Sequence, residues 1–207
     1  MRGQFITVEG SEGVGKSSNL AFIEDYLRNT GIDIVRTREP GGTSLGEAVR
    51  ELLLDARQMH MCDDMELLLM FAARAQHLDE VIQPALEEGK WVLCDRFTDA
   101  TYAYQGGGRG VPMERIEKLE DWVQGELRPD HTLLLDMPVK DGLQRAGARS
   151  EPDRFEQEQH AFFERVRETY LARAQQEPNR IHVIDASPAL DVVQSHIEKV
   201  LQRILGA

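Results

Sequence analysis

Short apolar segments recur along the chain, and longer segments with a helical spacing of apolar residues separate them. The short segments are QFITVE (4–9), DIVRT (33–37), WVLCD (91–95), TLLLD (132–136) and IHVID (181–185). Most of their apolar residues follow one another directly, a pattern typical of parallel strands that are covered on both faces. The pattern therefore predicts a parallel sheet of five buried strands.

The intervening segments predict helices. In residues 44–54, for example, Leu45, Ala48, Val49 and Leu52 fall on one helical face. The predicted helices cover residues 16–29, 44–54, 64–88, 113–125, 139–147, 155–176 and 189–204. Alternation of strands and helices indicates an α/β doubly wound fold, a five-stranded parallel sheet flanked by helices. Because the sequence has no internal repeat, low-complexity tract or linker, residues 1–207 are interpreted as a single domain.

The predicted helix 64–88 differs from the others, because its first half, MELLLMFAA, is apolar nearly all round. Such a helix needs a second apolar surface. Either the domain wraps around it, or it forms the contact of a homodimer, and the sequence pattern alone leaves both alternatives open.

Composition limits the classes of partner. The 207 residues carry a formal net charge of -12, with 41% hydrophobic and 29% charged residues, as in an ordinary soluble globular protein. A protein that grips polymeric nucleic acid normally has a basic face, so this balance argues against that role. Small anionic ligands stay possible, because they need only a local cluster of donors.

Neither cysteine nor the N-terminal segment suggests an extracytoplasmic protein. Cys62 and Cys94 have no metal-ligand spacing, and Cys94, within WVLC, is interpreted as a buried thiol. The segment MRGQFITVEG lacks the apolar stretch of a signal peptide, and no run of about 18 apolar residues occurs. We therefore expect a cytoplasmic protein that does not bind membranes.

The most specific local pattern is the loop that follows the first predicted strand. Residues 10–17, GSEGVGKS, match G-x-x-x-x-G-K-[ST] in full, between a strand and a helix. Glycines let successive backbone N–H groups turn inward around an anion, and the next helix points its positive end there. Lys16 supplies a positive charge for the β- and γ-phosphates of ATP, and Ser17 a hydroxyl ligand for Mg²⁺. The predicted nucleotide-binding residues are Gly10, Ser11, Glu12, Gly13, Val14, Gly15, Lys16, Ser17 and Ser18.

Such a loop alone does not separate a kinase from a nucleotide-dependent switch. A guanine-reading N-K-x-D motif is absent, since Asn19, Asn29 and Asn179 all lack a following lysine. Arg38 and Arg96 instead lie just beyond two predicted strands, where the ligand crevice of an open α/β sheet is found. Guanidinium groups there match a second phosphate.

Two further features near this crevice fit phosphoryl transfer. Asp95, before Arg96, could hold Mg²⁺ through water. Arg145, Arg149 and Arg154 lie in the charged segment QRAGARSEPDRFEQE, which is interpreted as a mobile lid over about 145–155 that would exclude water. Each arginine taken alone could equally be a surface partner of the many carboxylates.

Together these motifs resemble the bacterial thymidylate kinase family of P-loop nucleoside monophosphate kinases. The matching segments, which occur in family order over nearly the whole chain, are EGSEGVGKSS (9–18), TREPGGT (37–43), FAARAQH (71–77), CDRFTDATYAYQGGGR (94–109), LLLDMP (133–138) and RAGARSEPDRFE (145–156). The resemblance implies transfer of the γ-phosphoryl of ATP to dTMP with Mg²⁺, in a P-loop NTPase-like fold. It also implies a homodimer, which favours the interface role of helix 64–88.

The resemblance further implies roles in binding dTMP. Glu12 would contact the sugar 3′-hydroxyl and help to organise the metal, and Arg38 and Arg96 would clamp the 5′-phosphate. Phe71 and Arg74, which share a helical face, would stack on thymine and donate to its carbonyl oxygen. Thr101 and Gln105 would contact the base edge, and Tyr104 would pack beneath the deoxyribose. From the sequence alone, core packing is the alternative for Phe71 and for Tyr104.

The resemblance also bears on the residues that stabilise the transferred group. One branch of the family has a basic residue within the P-loop where this chain has Gly13, so the resemblance assigns that task to the lid. Arg149 is the first candidate and Arg145 the second, and an inserted glycine between them leaves the choice open. The predicted catalytic residues are therefore Lys16, Glu12, Arg96, Arg149 and Arg145.

Two other functions stay as alternatives. A kinase for another nucleoside monophosphate or a small alcohol would share the loop and the clamps but need a different acceptor pocket. A non-catalytic nucleotide-dependent switch would need neither lid arginines nor a second phosphate site.

Overall fold

The apolar segments form the strands of one parallel sheet. The structure is a computed structural model that describes residues 2–55, 61–147, 154–155 and 158–206. Its strands are β1 (Phe5–Glu9), β2 (Ile34–Arg38), β3 (Trp91–Asp95), β4 (His131–Asp136) and β5 (Ile181–Asp185). Within the described ranges they form one five-stranded sheet in the order β2-β3-β1-β4-β5, with parallel neighbours throughout. The predicted fold class is confirmed.

Helices connect the strands. They are α1 (Lys16–Asn29), α2 (Ser44–Leu54), α3 (Asp63–His77), α4 (Gln83–Glu87), α5 (Thr98–Thr101), α6 (Met113–Gln124), α7 (Val139–Ala146), α8 (His160–Gln176) and α9 (Leu190–Leu205). π-helical turns join α3 to α4 (Leu78–Ile82) and follow α5 (Tyr102–Gly108).

Helices cover both faces of the sheet, as the apolar strands require. Ile6 and Val8 of β1 are fully buried in a cluster with residues of α1 and α9. Phe5, which points to the opposite face, is buried against the turn Leu78–Ile82 and α4. Cys94 belongs to the same cluster, so its thiol is buried as predicted. Burying the apolar side chains on both faces is the main stabilising contribution to the sheet.

The predicted helix 64–88 is present, but a π-helical turn interrupts it. Pro84 has no N–H to donate to the carbonyl of Glu80, so a regular α-helix would lose a hydrogen bond there. The wider turn Leu78–Ile82 lies just before this proline and lets the helix continue into α4.

Two helical segments differ from the prediction by more than one or two residues. The helix predicted over 155–176 begins at His160, because Arg154 and Phe155 form a turn tied by the Arg154 N–H to the Leu54 carbonyl. The helical segment 98–108 was not predicted, because Gly106, Gly107 and Gly108 are poor helix formers. Tertiary packing requires them: a Cβ on Gly107 would lie 2.0 Å from Thr169 Oγ1 on α8.

Within the described ranges, no helix is long and apolar enough to cross a membrane.

Candidate active site

The predicted ligand crevice lies at the point where the order of the strands along the sheet reverses, next to β1. β1 runs between β3 and β4, and the loops after β1 and β3 leave the same edge of the sheet side by side. Ligands of open α/β folds bind at such a switch point. The loop after β1 is the predicted P-loop, and the segment after β3 carries Arg96, so the fold brings the two predicted phosphate-binding elements together.

The P-loop has the backbone conformation that its glycines allow. Gly10, Gly13 and Gly15 have φ angles of 140°, 74° and 85°, a region that favours glycine. The Lys16 ammonium reaches back over the loop and donates to the carbonyls of Gly10 (3.2 Å) and Ser11 (3.3 Å). Burial, followed by the positive charge of Arg96, lowers the pKa of Lys16. An anionic ligand beside Lys16 would therefore offset an existing electrostatic cost.

Gly13 shows why this chain has no basic residue within the loop. A Cβ at Gly13 would lie 1.9 Å from the carbonyl oxygen of Gly142 on α7. The loop and α7 therefore approach each other too closely for any side chain at this position. The close approach is consistent with the prediction that an arginine outside the P-loop, on the predicted lid, stabilises the transferred phosphoryl group.

Glu12, Arg96 and Tyr104 form a hydrogen-bonded triangle in the crevice. Arg96 Nη2 donates to Glu12 Oε1 (2.6 Å) and to the Tyr104 hydroxyl (2.9 Å), while that hydroxyl donates to Glu12 Oε1 (3.0 Å). Burial would raise the pKa of Glu12, but the charges of Arg96 and Lys16 outweigh it and lower this pKa to about 2. Glu12 is thus ionised at neutral pH and holds the Arg96 guanidinium in the crevice.

The backbone at Arg96 has a strained conformation, and a hydrogen bond to Glu9 holds the residue that follows it. Arg96 has a φ of 64°, the one positive φ of a non-glycine residue in the described part of the chain. The Phe97 N–H that follows donates to Glu9 Oε1 (2.7 Å), and the Tyr170 hydroxyl donates to Glu9 Oε2 (2.7 Å). Burial first, and the charge of Asp99 second, raise the pKa of Glu9 to about 8. Glu9 therefore holds the turn that directs Arg96 into the crevice.

A cleft continues from the P-loop towards α3. The residues that line it are Glu12, Glu39, Pro40, Arg50, Leu54, Met70, Arg74, Arg96, Phe97, Ala100, Thr101, Tyr104, Gln105 and Phe155. Six of the eight residues predicted to bind the acceptor are in this set; Arg38 and Phe71 are not. Glu12 and Arg96 line the end of the cleft at the P-loop, and Met70 and Arg74 line its end at α3.

Arg74 is fixed at the α3 end of the cleft. Its Nε donates to Glu39 Oε2 (2.7 Å), and its Nη2 donates to Thr101 Oγ1 (2.9 Å). Arg74 Nη1 is buried and has no hydrogen-bond partner among the described residues. Because a buried unpaired donor costs free energy, Nη1 is a position at which a ligand acceptor would bind favourably.

Phe71 does not line the cleft. It packs in a core cluster with Leu67, Tyr102 and Ile116, and the Arg74 guanidinium lies 4.7 Å from its ring centroid. The cleft wall at this point is Met70, one residue earlier. Phe71 is buried in this cluster beside the Arg74 side chain, which fits the core-packing alternative, and its stacking on thymine stays a prediction.

Arg38 lies at the rim of the cleft, and a second arginine accompanies it. Arg38 is 52% exposed and pairs with Glu47 (2.7 Å). Arg50 lines the cleft and donates to the Pro40 carbonyl (3.0 Å). Burial, followed by the positive charges of Arg38 and Arg96, lowers the pKa of Arg50. The three guanidinium groups thus concentrate positive charge in one place that an anion would neutralise.

The predicted magnesium ligands fit the preferences of that ion. Asp95 Oδ1 is buried without a hydrogen-bond partner among the described residues, and Ser17 lies exposed in the first turn of α1. A carboxylate and a hydroxyl are hard oxygen ligands, and Mg²⁺ usually adds water and phosphate oxygens to a few such ligands. Ser17 and Asp95 are therefore residues that could hold Mg²⁺.

The predicted lid arginines have different positions. Arg145, at the end of α7, donates to the carbonyls of Ala186 (3.1 Å) and Ser187 (2.9 Å). Arg149 lies outside the described residues. Arg154 pairs with the buried Glu66 on α3 (2.5 Å) and donates to the Leu53 carbonyl (2.9 Å). Within the described part of the chain, Arg154 therefore contacts α3 and the end of α2 rather than the P-loop, so its place in a lid over 145–155 stays a prediction.

Comparison with known proteins identifies the family. The family model described as thymidylate kinase matches residues 8–197. The chain is 59% identical to the thymidylate kinase of Ectopseudomonas mendocina (strain ymp) over 207 residues, which is 100% of this chain and 99% of that protein. This chain belongs to the thymidylate kinase family. It is also 58% identical over 205 residues to the thymidylate kinase of Teredinibacter turnerae, covering 99% of this chain and 100% of that protein.

The fold agrees with a solved structure of the thymidylate kinase family. The crystal structure of thymidylate kinase from Ehrlichia chaffeensis matches with a TM-score of 0.80 and 34% identity, over 98% of this chain and 100% of that chain. The overall fold of this chain therefore occurs in a solved member of the family.

Sequence reasoning missed several residues of the cleft in this family member. Glu39, Arg50, Met70 and Phe155 line it, and Glu66 lies behind it. A place for Arg50 in the cleft could have been predicted, because α2 directly follows the TREPGGT segment that carries the predicted phosphate ligand Arg38. Glu66 gave no signal, since an acidic residue in the first turn of a helix is usually a solvated partner of the helix dipole.

Proposed function

We propose that this chain, as a single kinase domain, transfers the γ-phosphoryl group of ATP to dTMP, giving dTDP and ADP and so supplying dTTP for DNA synthesis. The observation that carries the proposal is the 2.6 Å contact between Glu12 of the P-loop and Arg96 of the acceptor cleft. This contact joins the P-loop to a cleft that is lined by Arg96 and Arg74, each of which has one buried guanidinium nitrogen without a hydrogen-bond partner among the described residues. Membership of the thymidylate kinase family supports the choice of acceptor.

In this proposal the P-loop binds the phosphates of ATP. Backbone N–H groups of residues 10–17 and the positive end of α1 surround the β-phosphate, and Lys16 moves from the loop carbonyls to the phosphate oxygens. Ser17 and Asp95 would hold Mg²⁺. When bound, this ion neutralises charge on the phosphate oxygens and helps to align them.

dTMP would lie along the cleft with its phosphate towards the P-loop. Arg96, whose Nε is buried and has no partner among the described residues, would donate to the 5′-phosphate together with Arg50 and Arg38. Tyr104 would pack against the deoxyribose, and Glu12 would accept from its 3′-hydroxyl. A 2′-hydroxyl would then meet the Tyr104 ring, which selects against ribonucleotides by shape.

The base would occupy the α3 end. Arg74 Nη1 would donate to the O4 carbonyl of thymine, and Gln105 would contact the neighbouring base edge. Thr101 accepts from Arg74 Nη2, so we propose that it orients Arg74. Met70 and Phe155 would cover the faces of the base, since both line this part of the cleft.

The chemistry would need little proton transfer by the protein. A phosphoryl transfer transition state carries charge on three oxygens, and catalysis consists mainly of alignment, charge neutralisation and exclusion of water. Glu12 and the strained turn at Arg96 would align the acceptor with the donor. Arg149, on the lid, would stabilise the transferred group, while Arg145 is engaged by the carbonyls of Ala186 and Ser187.

We further propose a homodimer through α2 and α3. Met65, Leu68, Ala72 and Ala75 form an exposed stripe on α3, and Leu68 is 55% exposed. Leu45, 63% exposed, lies on α2, which packs against α3. Adjacent exposed apolar residues on two helices are typical of an association surface. We place the reaction in the cytoplasm, with ATP and dTMP as its small-molecule partners.

A coupled ADP-release assay over a panel of acceptors tests the proposal. With ATP and Mg²⁺ we expect dTMP to give the highest kcat/KM among dTMP, dUMP, dCMP, dAMP and dGMP, and little ADP release without an acceptor. A preference for another monophosphate would support the alternative kinase. Nucleotide binding without acceptor-dependent turnover would support the switch.

A further inference from the structure

Glu66 is a buried carboxylate that the proposed transfer chemistry does not use. It lies on α3, its side chain is 1% exposed, and the side chains of three residues from two segments of the chain contact its carboxylate oxygens. Gln105 Nε2 donates to its Oε1 (2.8 Å), and Arg109 Nε approaches the same oxygen (3.3 Å). Arg154 Nη2 donates to its Oε2 (2.5 Å).

The contact with Gln105 fixes which end of that amide enters the cleft. A glutamine amide has an NH₂ donor end and a carbonyl acceptor end of similar shape. Two guanidinium groups contact the Glu66 carboxylate, so its oxygens act as acceptors and only the NH₂ end of Gln105 can satisfy them. Gln105 is buried and also lines the cleft. With its NH₂ turned to Glu66, the carbonyl Oε1 is the end left for a ligand.

We propose that Glu66 is a positioning residue that determines base specificity. By holding the Gln105 amide in one orientation, it makes the cleft accept pyrimidines that carry a hydrogen on N3 and reject those that do not. The inference rests on the proposed binding of dTMP in this cleft. Thymine and uracil have an N3–H donor and an O4 acceptor, whereas cytosine has an N3 acceptor and a 4-amino donor.

The neighbouring Arg74 completes the pattern. Its unpaired Nη1 is a donor, and Gln105 Oε1 is an acceptor, so together they complement the O4 and N3–H groups of thymine or uracil. Cytosine would place an acceptor against Oε1 and a donor against Nη1. Unpaired polar groups in a closed site give strong discrimination. Glu66 acts on the N3–H part of this selection through Gln105, without touching the ligand.

The test is the Glu66→Gln variant. A glutamine at this position can turn its NH₂ to Gln105 and its carbonyl to Arg154, giving up only the long 3.3 Å contact with Arg109, which allows the Gln105 amide to reverse. We expect the ratio of kcat/KM for dTMP to kcat/KM for dCMP to fall at least tenfold relative to the unmodified chain. The ratio of dTMP to dUMP should stay within twofold, because both bases present the same N3–H and O4 groups.

Arg154→Gln is the matched control. It removes an ion pair from the other oxygen of the same carboxylate and leaves the Glu66–Gln105 hydrogen bond in place. We expect it to lower stability while both acceptor ratios stay within twofold. A Glu66→Gln ratio of dTMP to dCMP that stays within twofold, or an equal fall in Arg154→Gln, would overturn the proposal.

A second measurement does not depend on whether the Glu66→Gln variant folds. In the unmodified chain labelled with ¹⁵N-glutamine, the Gln105 side-chain amide can be assigned by its loss in Gln105→Met. We expect a nuclear Overhauser contact between the Gln105 NH₂ protons and the Glu66 γ-methylene, and its absence would also overturn the proposal. Failure of the chain to phosphorylate dTMP would instead refute the proposed function and leave this contact unchanged.

Discussion

Arg96 Nη2 donates to Glu12 Oε1 across 2.6 Å, and this contact joins the loop after β1 to the turn after β3. Both side chains are partly exposed to the crevice, at 23% and 16%. The arginine cannot move without breaking this ion pair and the hydrogen bond to Tyr104. The proposed acceptor clamp is therefore held in position by contacts within the chain.

Arg96→Lys is expected to reduce activity although the charge is kept. Lysine has one ammonium group, so it cannot donate to Glu12, Tyr104 and a phosphate in the planar arrangement of a guanidinium. We expect kcat/KM for dTMP to fall about 100-fold or more, as for the loss of one or two charged hydrogen bonds. Arg36→Lys, an exposed change on β2, is the control and should change kcat/KM less than twofold. Equal values for the two variants would contradict the clamp role.

Lys16→Ala is expected to abolish turnover while the fold remains. The ammonium is buried and its pKa is lowered by that burial, so its removal relieves a desolvation cost in the unliganded chain. We expect no measurable ADP release and a melting temperature within a few degrees of the unmodified chain. Lys90→Ala, at the surface pair with Glu88, is the control that should retain activity. Turnover by Lys16→Ala would refute the P-loop assignment.

Arg145→Ala and Arg149→Ala are expected to differ. Arg145 donates to two backbone carbonyls near the start of α9, so its loss should affect local structure more than the transition state. We expect Arg149→Ala to lose kcat by orders of magnitude with little change in KM, which is the signature of an interaction made in the transition state. Arg145→Ala should lose less than tenfold. The reverse order, measured at saturating ATP, would assign the role to Arg145.

Glu9 is expected to make stability depend on pH. Its pKa rises from 4.5 to about 8 on folding, because of burial first and the charge of Asp99 second. The folded chain binds this proton more tightly, so the stabilising contribution is complete below pH 4.5 and is lost as pH rises through 8. In Glu9→Gln the group stays neutral, and the hydrogen bonds to Phe97 and Tyr170 can be kept.

Urea unfolding between pH 5 and 8.5 measures this contribution. We expect the free energy of unfolding of the unmodified chain to fall relative to Glu9→Gln as pH rises, by at most about 1.4 kcal/mol per pH unit. The comparison cancels the other titrating groups, which both chains share. A difference that does not change with pH would contradict the raised pKa.

Leu68→Glu is expected to dissociate the proposed homodimer. A charge in the middle of an apolar contact surface would be buried without a partner, which is costly. We expect a dimer for the unmodified chain and a monomer for the variant in sedimentation at micromolar concentration. Val183→Glu, an exposed change on the edge strand β5, is the control and should stay dimeric. A monomeric unmodified chain would refute the dimer.

Local patterns were sufficient to predict most of the fold. The apolar runs gave all five strands within one residue at each end, because a strand buried on both faces needs a run of apolar residues. The GSEGVGKS loop and α1 were likewise predictable, since positive φ angles at Gly10, Gly13 and Gly15 require glycine. Segment 98–108 was missed because its glycines disfavour a helix when packing against α8 is not considered.

The sequence by itself determined the sheet and the P-loop, and its resemblance to the family implied that Arg74, Arg96, Thr101, Tyr104 and Gln105, which line one cleft, act together. Only the tertiary structure decided which side chains line the cleft and which pack elsewhere. Phe71 packs in a core cluster, Met70 lines the cleft, and Arg154 forms an ion pair with Glu66. The physical reason is that spacing along a helix fixes which residues share a face. Which neighbour that face meets depends on how the elements pack, and residues far apart in the chain determine it.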